Sequence, residues 1–318
     1  MLCKGSQDFT GGVYVKRRDI GLGIIVVILW GLNFIPIKLG VAQVPPLMLA
    51  SIRFLLVSIP AIFFLPRPPI SWKGLIALSM TLYVGQFGFL FLGIKLGMPA
   101  GLASILHQSQ AFFTLLVAVI FLKEKLHWNH LAGLLIAAAG MMIIGYQQNT
   151  DMTAIGFWFI LIASSSWGVG NVIMRKVTQG VQPFSMLSLV VWSGFVSFFP
   201  MTILSLLIEG LSSWQQAINV MNWTSVFSIM YLAYLSSLAG YGLWGTLLSR
   251  YPATVVAPLA LLVPIIGMSS TALFLGEIFT FWQLVGSVFV MAGLAVNVFG
   301  SKIMKANIYR RISSLPKS

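Results

Sequence analysis

Two short stretches place costly polar groups inside apolar surroundings. Trp30-Gly31-Leu32-Asn33-Phe34-Ile35-Pro36-Ile37-Lys38 lies in the first long apolar segment, and Trp167-Gly168-Val169-Gly170-Asn171-Val172-Ile173-Met174-Arg175-Lys176 lies half a chain later. Asn and Lys are five residues apart in both. An unpaired polar group in hydrocarbon is penalised by several kcal/mol, and an unpaired charge by more. Finding the pair twice points to two copies of one unit around a shared polar centre. The competing reading is packing, in which the Gly of Trp-Gly lets two helices approach closely.

Other residues extend this polar set. His107, Gln110 and Thr114 share one helical face at spacings of three and four. His107 falls about 13 Å into its segment at 1.5 Å per residue, near the midplane. Gln86, Asn171 and Tyr241 add amides and a phenol, and Trp30, Trp167 and Trp244 add flat walls. Such a lining suits a small polar or zwitterionic solute. Arg53 and Lys38 can each meet a substrate carboxylate or instead snorkel to the interface on their long stems. No acid falls at mid-membrane, so carboxylate-based proton antiport is not expected, and His107 is the leading titratable group at depth. His127 and His130 lack a Cys or acid to complete a metal set. No cofactor or metal is expected. No clustered nucleophile and base is present, which argues against an enzyme.

The surrounding elements follow from composition. Of 318 residues, 58% are apolar and 8% charged, with mean hydropathy +0.95. A soluble domain carries roughly 25% charged residues. The chain therefore reads as an all-α integral membrane protein, with the lipid bilayer as its surroundings. Ten apolar segments fall at about 20–39, 46–66, 73–96, 99–122, 129–147, 154–177, 183–208, 222–249, 253–275 and 280–299. The first 19 residues lack an apolar core, so no cleavable leader is expected.

The net charge of +13 has a topological explanation, because Lys and Arg collect in cytoplasmic loops. The connections at 40–45, 148–153 and 209–221 contain neither. Both termini are expected in the cytoplasm, and no nucleic-acid partner is expected.

Internal spacing makes the repeat quantitative. Trp167 follows Trp30, and Pro183 follows Pro46, by 137 residues. Pro252 follows Pro99, Glu277 follows Glu124, Gly286 follows Gly133 and Gly293 follows Gly140, all by 153. The 16 extra residues fall in the polar stretch 209–222. Each half then has five spans. Five is odd, so the second half crosses upside down, an inverted-topology repeat. The expected organisation is an N-terminal tail at 1–18, a first five-helix repeat at 19–147, a second at 154–299 and a basic C-terminal tail at 300–318. Gly286 and Gly293 on the last span are candidates for a homodimer interface.

Further stretches carry a family resemblance: Pro45 to Ala50, Gly97 to Ser104, Gln110 to Thr114, Gly240 to Leu248, Arg250-Tyr251, Ala257-Pro258-Leu259, Leu262-Val263-Pro264 and Asn297 to Gly300. With Trp30–Lys38 they resemble the EamA family of the drug/metabolite transporter superfamily over about 20–300. Within it, the chain looks closest to the exporters of O-acetylserine and cysteine. The resemblance implies the drug/metabolite transporter fold and efflux from the cytoplasm through a bacterial inner membrane. It also implies a cavity lined by spans one, three, four, six, eight and nine. The rival expectation is a broader amino-acid, aromatic-metabolite or drug exporter on the same fold.

Overall fold

A computed structural model describes residues 15–147 and 152–313, with the side chains of 253, 254 and 301–313 excepted. The N-terminal tail up to residue 14, including Cys3, the loop acid Asp151 and the C-terminal basic side chains lie outside the described residues. Among the described residues ten helical spans are present: span 1 (Arg17–Gln43), span 2 (Pro46–Phe63), span 3 (Trp72–Lys95), span 4 (Ala100–Leu122), span 5 (Trp128–Tyr146), span 6 (Ala154–Thr178), span 7 (Met186–Ile208), span 8 (Trp223–Arg250), span 9 (Ala257–Leu275) and span 10 (Phe281–Gly300). Each has the length and apolarity to cross a bilayer. The helix of span 10 continues unbroken to Ser313, so the first part of the expected C-terminal tail is helical.

The contacts between spans show the two-fold relation directly. Span 1 packs on spans 8 and 9, and span 6 packs on spans 3 and 4. Spans 2 and 7, 4 and 9, and 5 and 10 pair with their own counterparts. Exchanging n with n+5 leaves this pattern unchanged. The irregularities in the helices repeat as well. A π-helical segment occupies Ser79–Gly85 in span 3 and Tyr231–Ala239 in span 8. A 3-10 segment occupies His107–Ser109 in span 4 and Ala257–Leu262 in span 9. Span 1 has a turn at Asn33, where Pro36 supplies no N–H to the preceding ridge of carbonyls.

Glycine decides how closely the spans approach. A Cβ on Gly31 would lie 2.6 Å from Ile266, and one on Gly168 would lie 2.6 Å from Phe113. These are equivalent contacts, span 1 on span 9 and span 6 on span 4. The Gly of both Trp-Gly copies therefore serves packing, as the plainer reading held. Spans 5 and 10 meet through Gly133 against Gly293 and Gly140 against Gly286, where a Cβ on Gly133 would sit 2.6 Å from the Gly293 carbonyl oxygen. Gly286 and Gly293, the residues expected to carry a homodimer interface, are covered by Gly140 and Gly133 of the same chain.

Spans 4 and 9 end alike. Lys123 and Gly276 both take left-handed backbone (φ 55° and 66°), and the next N–H, of Glu124 or Glu277, donates to Ala118 O or Thr271 O at 3.4 Å. Left-handed backbone costs a side-chain-bearing residue roughly 1–2 kcal/mol. Lys123→Gly is accordingly expected to stabilise the protein by about 1 kcal/mol, read as a raised thermal midpoint in detergent, and Gly276→Ala to lower it by a similar amount.

Packing differs between the two ends of the bundle. The end where span 1 begins carries Arg17, Arg18, Lys73, Lys125, Arg175 and Arg250, and is called the basic face here. Toward the far face, all seven residues of Ala100–Leu106 in span 4 and seven of the ten in Gln86–Lys95 of span 3 are buried. Toward the basic face, only Phe112 and Ala118 of Gln110–Leu122, only Gly240 and Leu247 of Gly240–Arg250, and none of Ala257–Leu262 are buried. In spans 3, 4, 8 and 9 the far half is the more buried, whereas span 7 is more buried toward the basic face.

Candidate solute site

The sequence-derived residues assemble into three groups, and a fourth forms around Arg53. At mid-depth, the 3-10 turn in span 4 aims His107 at spans 3 and 6. Its Nε2 lies 3.2 Å from Gln86 Nε2, and its Nδ1 lies 3.3 Å from Ser164 Oγ. The Trp167 ring covers it at 4.8 Å between centroids. Ser164 Oγ donates to the Ile160 carbonyl at 2.8 Å, so it accepts from Nδ1–H, while Nε2 accepts from the Gln86 amide. Both ring nitrogens of a neutral imidazole are thus satisfied. Charging the ring would set two donors face to face unless Gln86 turned its amide over. Both ring nitrogens of His107 are thus engaged by side chains of spans 3 and 6. His107→Gln is expected to leave the pH profile of transport unchanged, which uptake at stepped pH checks; a profile flattened by this variant would restore a proton-carrying role.

One turn toward the basic face, Asn171 Nδ2 donates to Gln110 Oε1 at 2.8 Å and to Thr114 Oγ1 at 3.1 Å. The Asn of the second copy is therefore tied to the polar face of span 4. Asn33 of the first copy behaves differently. It is buried at the turn in span 1, and its Oδ1 finds no hydrogen-bond partner among the described residues.

The third group is aromatic. The Trp30 ring lies 5.2 Å from both Tyr241 and Trp244, and its Nε1 donates to the Ser236 carbonyl at 3.1 Å. These three rings are half-buried.

The fourth group rests on the π-helical segment of span 8. Ser236 receives Trp30, and the next residue, Ser237, receives Arg53 through Nε at 3.1 Å and Nη2 at 3.0 Å. The guanidinium carbon stands 4.0 Å over the Phe87 ring, and Phe87 and Tyr83 pack on Phe54 at 5.8 and 5.6 Å. Arg53 is 1% exposed, so it does not snorkel. Its Nη1 has no partner among the described residues.

Every described acid is engaged elsewhere. Asp19 accepts from Arg250 at 2.6 Å and from the Tyr251 hydroxyl at 2.7 Å. Glu124 pairs with Arg175. Glu209 accepts from the Leu47 and Met48 N–H groups at 2.7 and 3.0 Å, and Glu277 from those of Ala100 and Gly101 at 2.7 and 2.8 Å. These last two carboxylates satisfy the orphan donors at the starts of spans 2 and 4. Arg53 is left as a buried cation with no acid beside it among the described residues. Sequence reasoning counted these acids but gave none of them a partner.

A two-fold membrane bundle with polar and cationic side chains held at mid-depth has the architecture of a secondary transporter. The chain belongs to the EamA-like transporter family, whose profile matches residues 18–146 and 154–299, one match per half. It is a transporter rather than an enzyme. It is similar to the probable amino-acid metabolite efflux pump of Salmonella typhimurium, 43% identical over 92% of this chain and 98% of that one. It is similar to the protein of the same description in Escherichia coli, at 41% over 92% and 98%. An uncharacterized transporter of Bacillus subtilis is 24% identical over 87% of this chain and 96% of its own length. A solved crystal structure shares the fold with a TM-score of 0.59 and 16% identity, over 89% of this chain and 98% of that one.

Proposed function

We propose that this protein exports small amino-acid metabolites, O-acetylserine and cysteine among them, from the cytoplasm across a bacterial inner membrane by alternating access. The single observation that carries the reading is Arg53, a desolvated guanidinium with a free Nη1 and no described acid to neutralise it. An ionised group inside a membrane protein is retained at a cost, and its usual justification is a ligand of opposite charge. An amino-acid carboxylate matches the planar fork of an arginine. Two further features of the bundle suit the rest of such a solute. Asn33 Oδ1 is a buried acceptor in search of a donor such as an ammonium group, and the Trp30, Tyr241 and Trp244 rings, tilted by 56° and 51° about Trp30, form an aromatic cluster.

The bundle is read as standing with its basic face in the cytoplasm, on the distribution of Lys and Arg. In that orientation the less buried halves of spans 3, 4, 8 and 9 open inward and their packed halves seal the exterior, the state that would receive a cytoplasmic solute. Two counterpart halves supply the second state by exchanging their packing.

The aromatic cluster on span 8 also favours a second reading, export of aromatic metabolites or drugs. Cells overproducing the protein separate the two. Cysteine and O-acetylserine accumulate in the medium under the first, and resistance to aromatic dyes without such secretion supports the second.

A further inference from the structure

The carboxylates of Glu124 and Glu277 stand on equivalent hooks. Each follows a left-handed residue at the end of span 4 or span 9, and each backbone N–H closes the same 3.4 Å bond to the residue six positions back. Their side chains nevertheless grip different things. Glu277, at the far face, is docked on the Ala100 and Gly101 N–H groups at the start of span 4. By the 153-residue offset, the equivalent N–H groups for Glu124 are those of Ala253 and Thr254, which follow Pro252 as Ala100 follows Pro99. Glu124 instead pairs with Arg175 at the basic face, where its side chain is 40% exposed. Arg175 adjoins Lys176, which the shared Asn–Lys spacing relates to Lys38 of span 1. Residues related by the repeat are also unequally buried along the seam between spans 4 and 9. Ser104 is 1% exposed, whereas its counterpart Ala257 is exposed.

We propose that Glu124 and Glu277 are a pair of alternating latches, each closing one face by docking on the first N–H groups of the opposite half. This rests on the alternating-access reading above. In the state described, Glu277 is docked and the far face is shut, while Glu124 is parked on Arg175 and the basic-face halves of spans 4 and 9 are loose. In the opposite state Glu124 docks on Ala253 and Thr254, and Glu277 releases span 4 and pairs with Lys38. A carboxylate docked on two backbone donors gains charge-assisted hydrogen bonds, whereas a half-exposed ion pair contributes little. The docked contact therefore governs each closure and the parked contact only modulates it. Glu209 is the internal contrast. It docks on Leu47 and Met48, but its position at the end of span 7 has no acidic counterpart at the end of span 2. It is a fixed cap, not a latch.

The test uses thiol labelling, which needs no substrate, so its failure is distinct from a wrong substrate. On a Cys3→Ser background, Ser104→Cys reports the far seam and Ala257→Cys the basic seam, each labelled by a maleimide in detergent. Glu277→Gln is expected to speed labelling at 104 by about tenfold and to slow it at 257, the shift that loss of two charge-assisted bonds brings. Glu124→Gln and Arg175→Ala are expected to move the seams in opposite directions: the first slows labelling at 104, and the second speeds it. A simple ion pair would make these two variants behave alike, and that result overturns the proposal. Faster labelling at both seams in Glu277→Gln, the sign of a loosened fold, also overturns it.

Discussion

Replacing Arg53 by Met abolishes transport of carboxylate-bearing metabolites while leaving the protein at least as stable as before. The two halves of this expectation come from one fact: the guanidinium is buried and has no described acid beside it. Without ligand, its desolvation is only partly offset by Ser237 Oγ and the Phe87 ring. Met fills a similar volume among Phe54, Phe87 and Phe91 and carries no desolvation penalty. With ligand, loss of the cation leaves a carboxylate buried and unpaired, which costs about 2–5 kcal/mol, or roughly 30-fold to several thousand-fold in affinity. Substrate uptake and the thermal midpoint measured on the same preparation check both halves. Parallel loss of stability and transport would instead make Arg53 a structural prop.

The second large effect is structural. Gly140→Val and Gly293→Val are each expected to destabilise the protein by about 3 kcal/mol, at the upper end of overpacking changes. A Cβ on Gly140 would lie 2.5 Å from the Gly286 carbonyl oxygen, and one on Gly293 would lie 2.5 Å from that of Gly133. Both obstacles are backbone, so no rotamer change relieves them. The two variants should behave alike because the residues are related by the repeat. Thermal unfolding in detergent measures the loss. Full stability of either variant, with a change only in oligomeric state, would return the glycines to an interface between copies.

Much of this architecture is legible in the chain. Span lengths follow from hydropathy because the bilayer imposes them. The repeat follows from Trp30 and Trp167, Pro99 and Pro252, and Glu124 and Glu277, residues whose chemistry is uncommon enough to register an offset. The helix irregularities are not legible. Ser79–Gly85 and Tyr231–Ala239 contain no proline to mark their π-helical turns, which lie against spans 6 and 7 and against spans 1, 2 and 7.

The site was half legible. Residue type marked Asn33, His107, Gln110 and Asn171 as polar at depth, but not which were satisfied. Asn171 and His107 find partners 57 to 61 and 21 to 57 residues away, whereas Asn33 Oδ1 finds none among the described residues. For Arg53, depth alone left snorkelling open. Its inward partners, Ser237, 184 residues on, and the Phe87 ring, are set by the fold. The glycines of span 10 were ambiguous for a related reason. The same spacing serves an approach within the chain and one between chains, and sequence does not name the partner.

The most direct measurement of the central claim is uptake into inside-out vesicles holding the purified protein, comparing labelled O-acetylserine with its methyl ester. The ester keeps the ammonium and acetyl groups and loses only the carboxylate. The Arg53 account predicts saturable uptake of the acid and a rate for the ester no higher than in protein-free vesicles. Equal saturable uptake of both, or of both by the Arg53→Met variant, would contradict it.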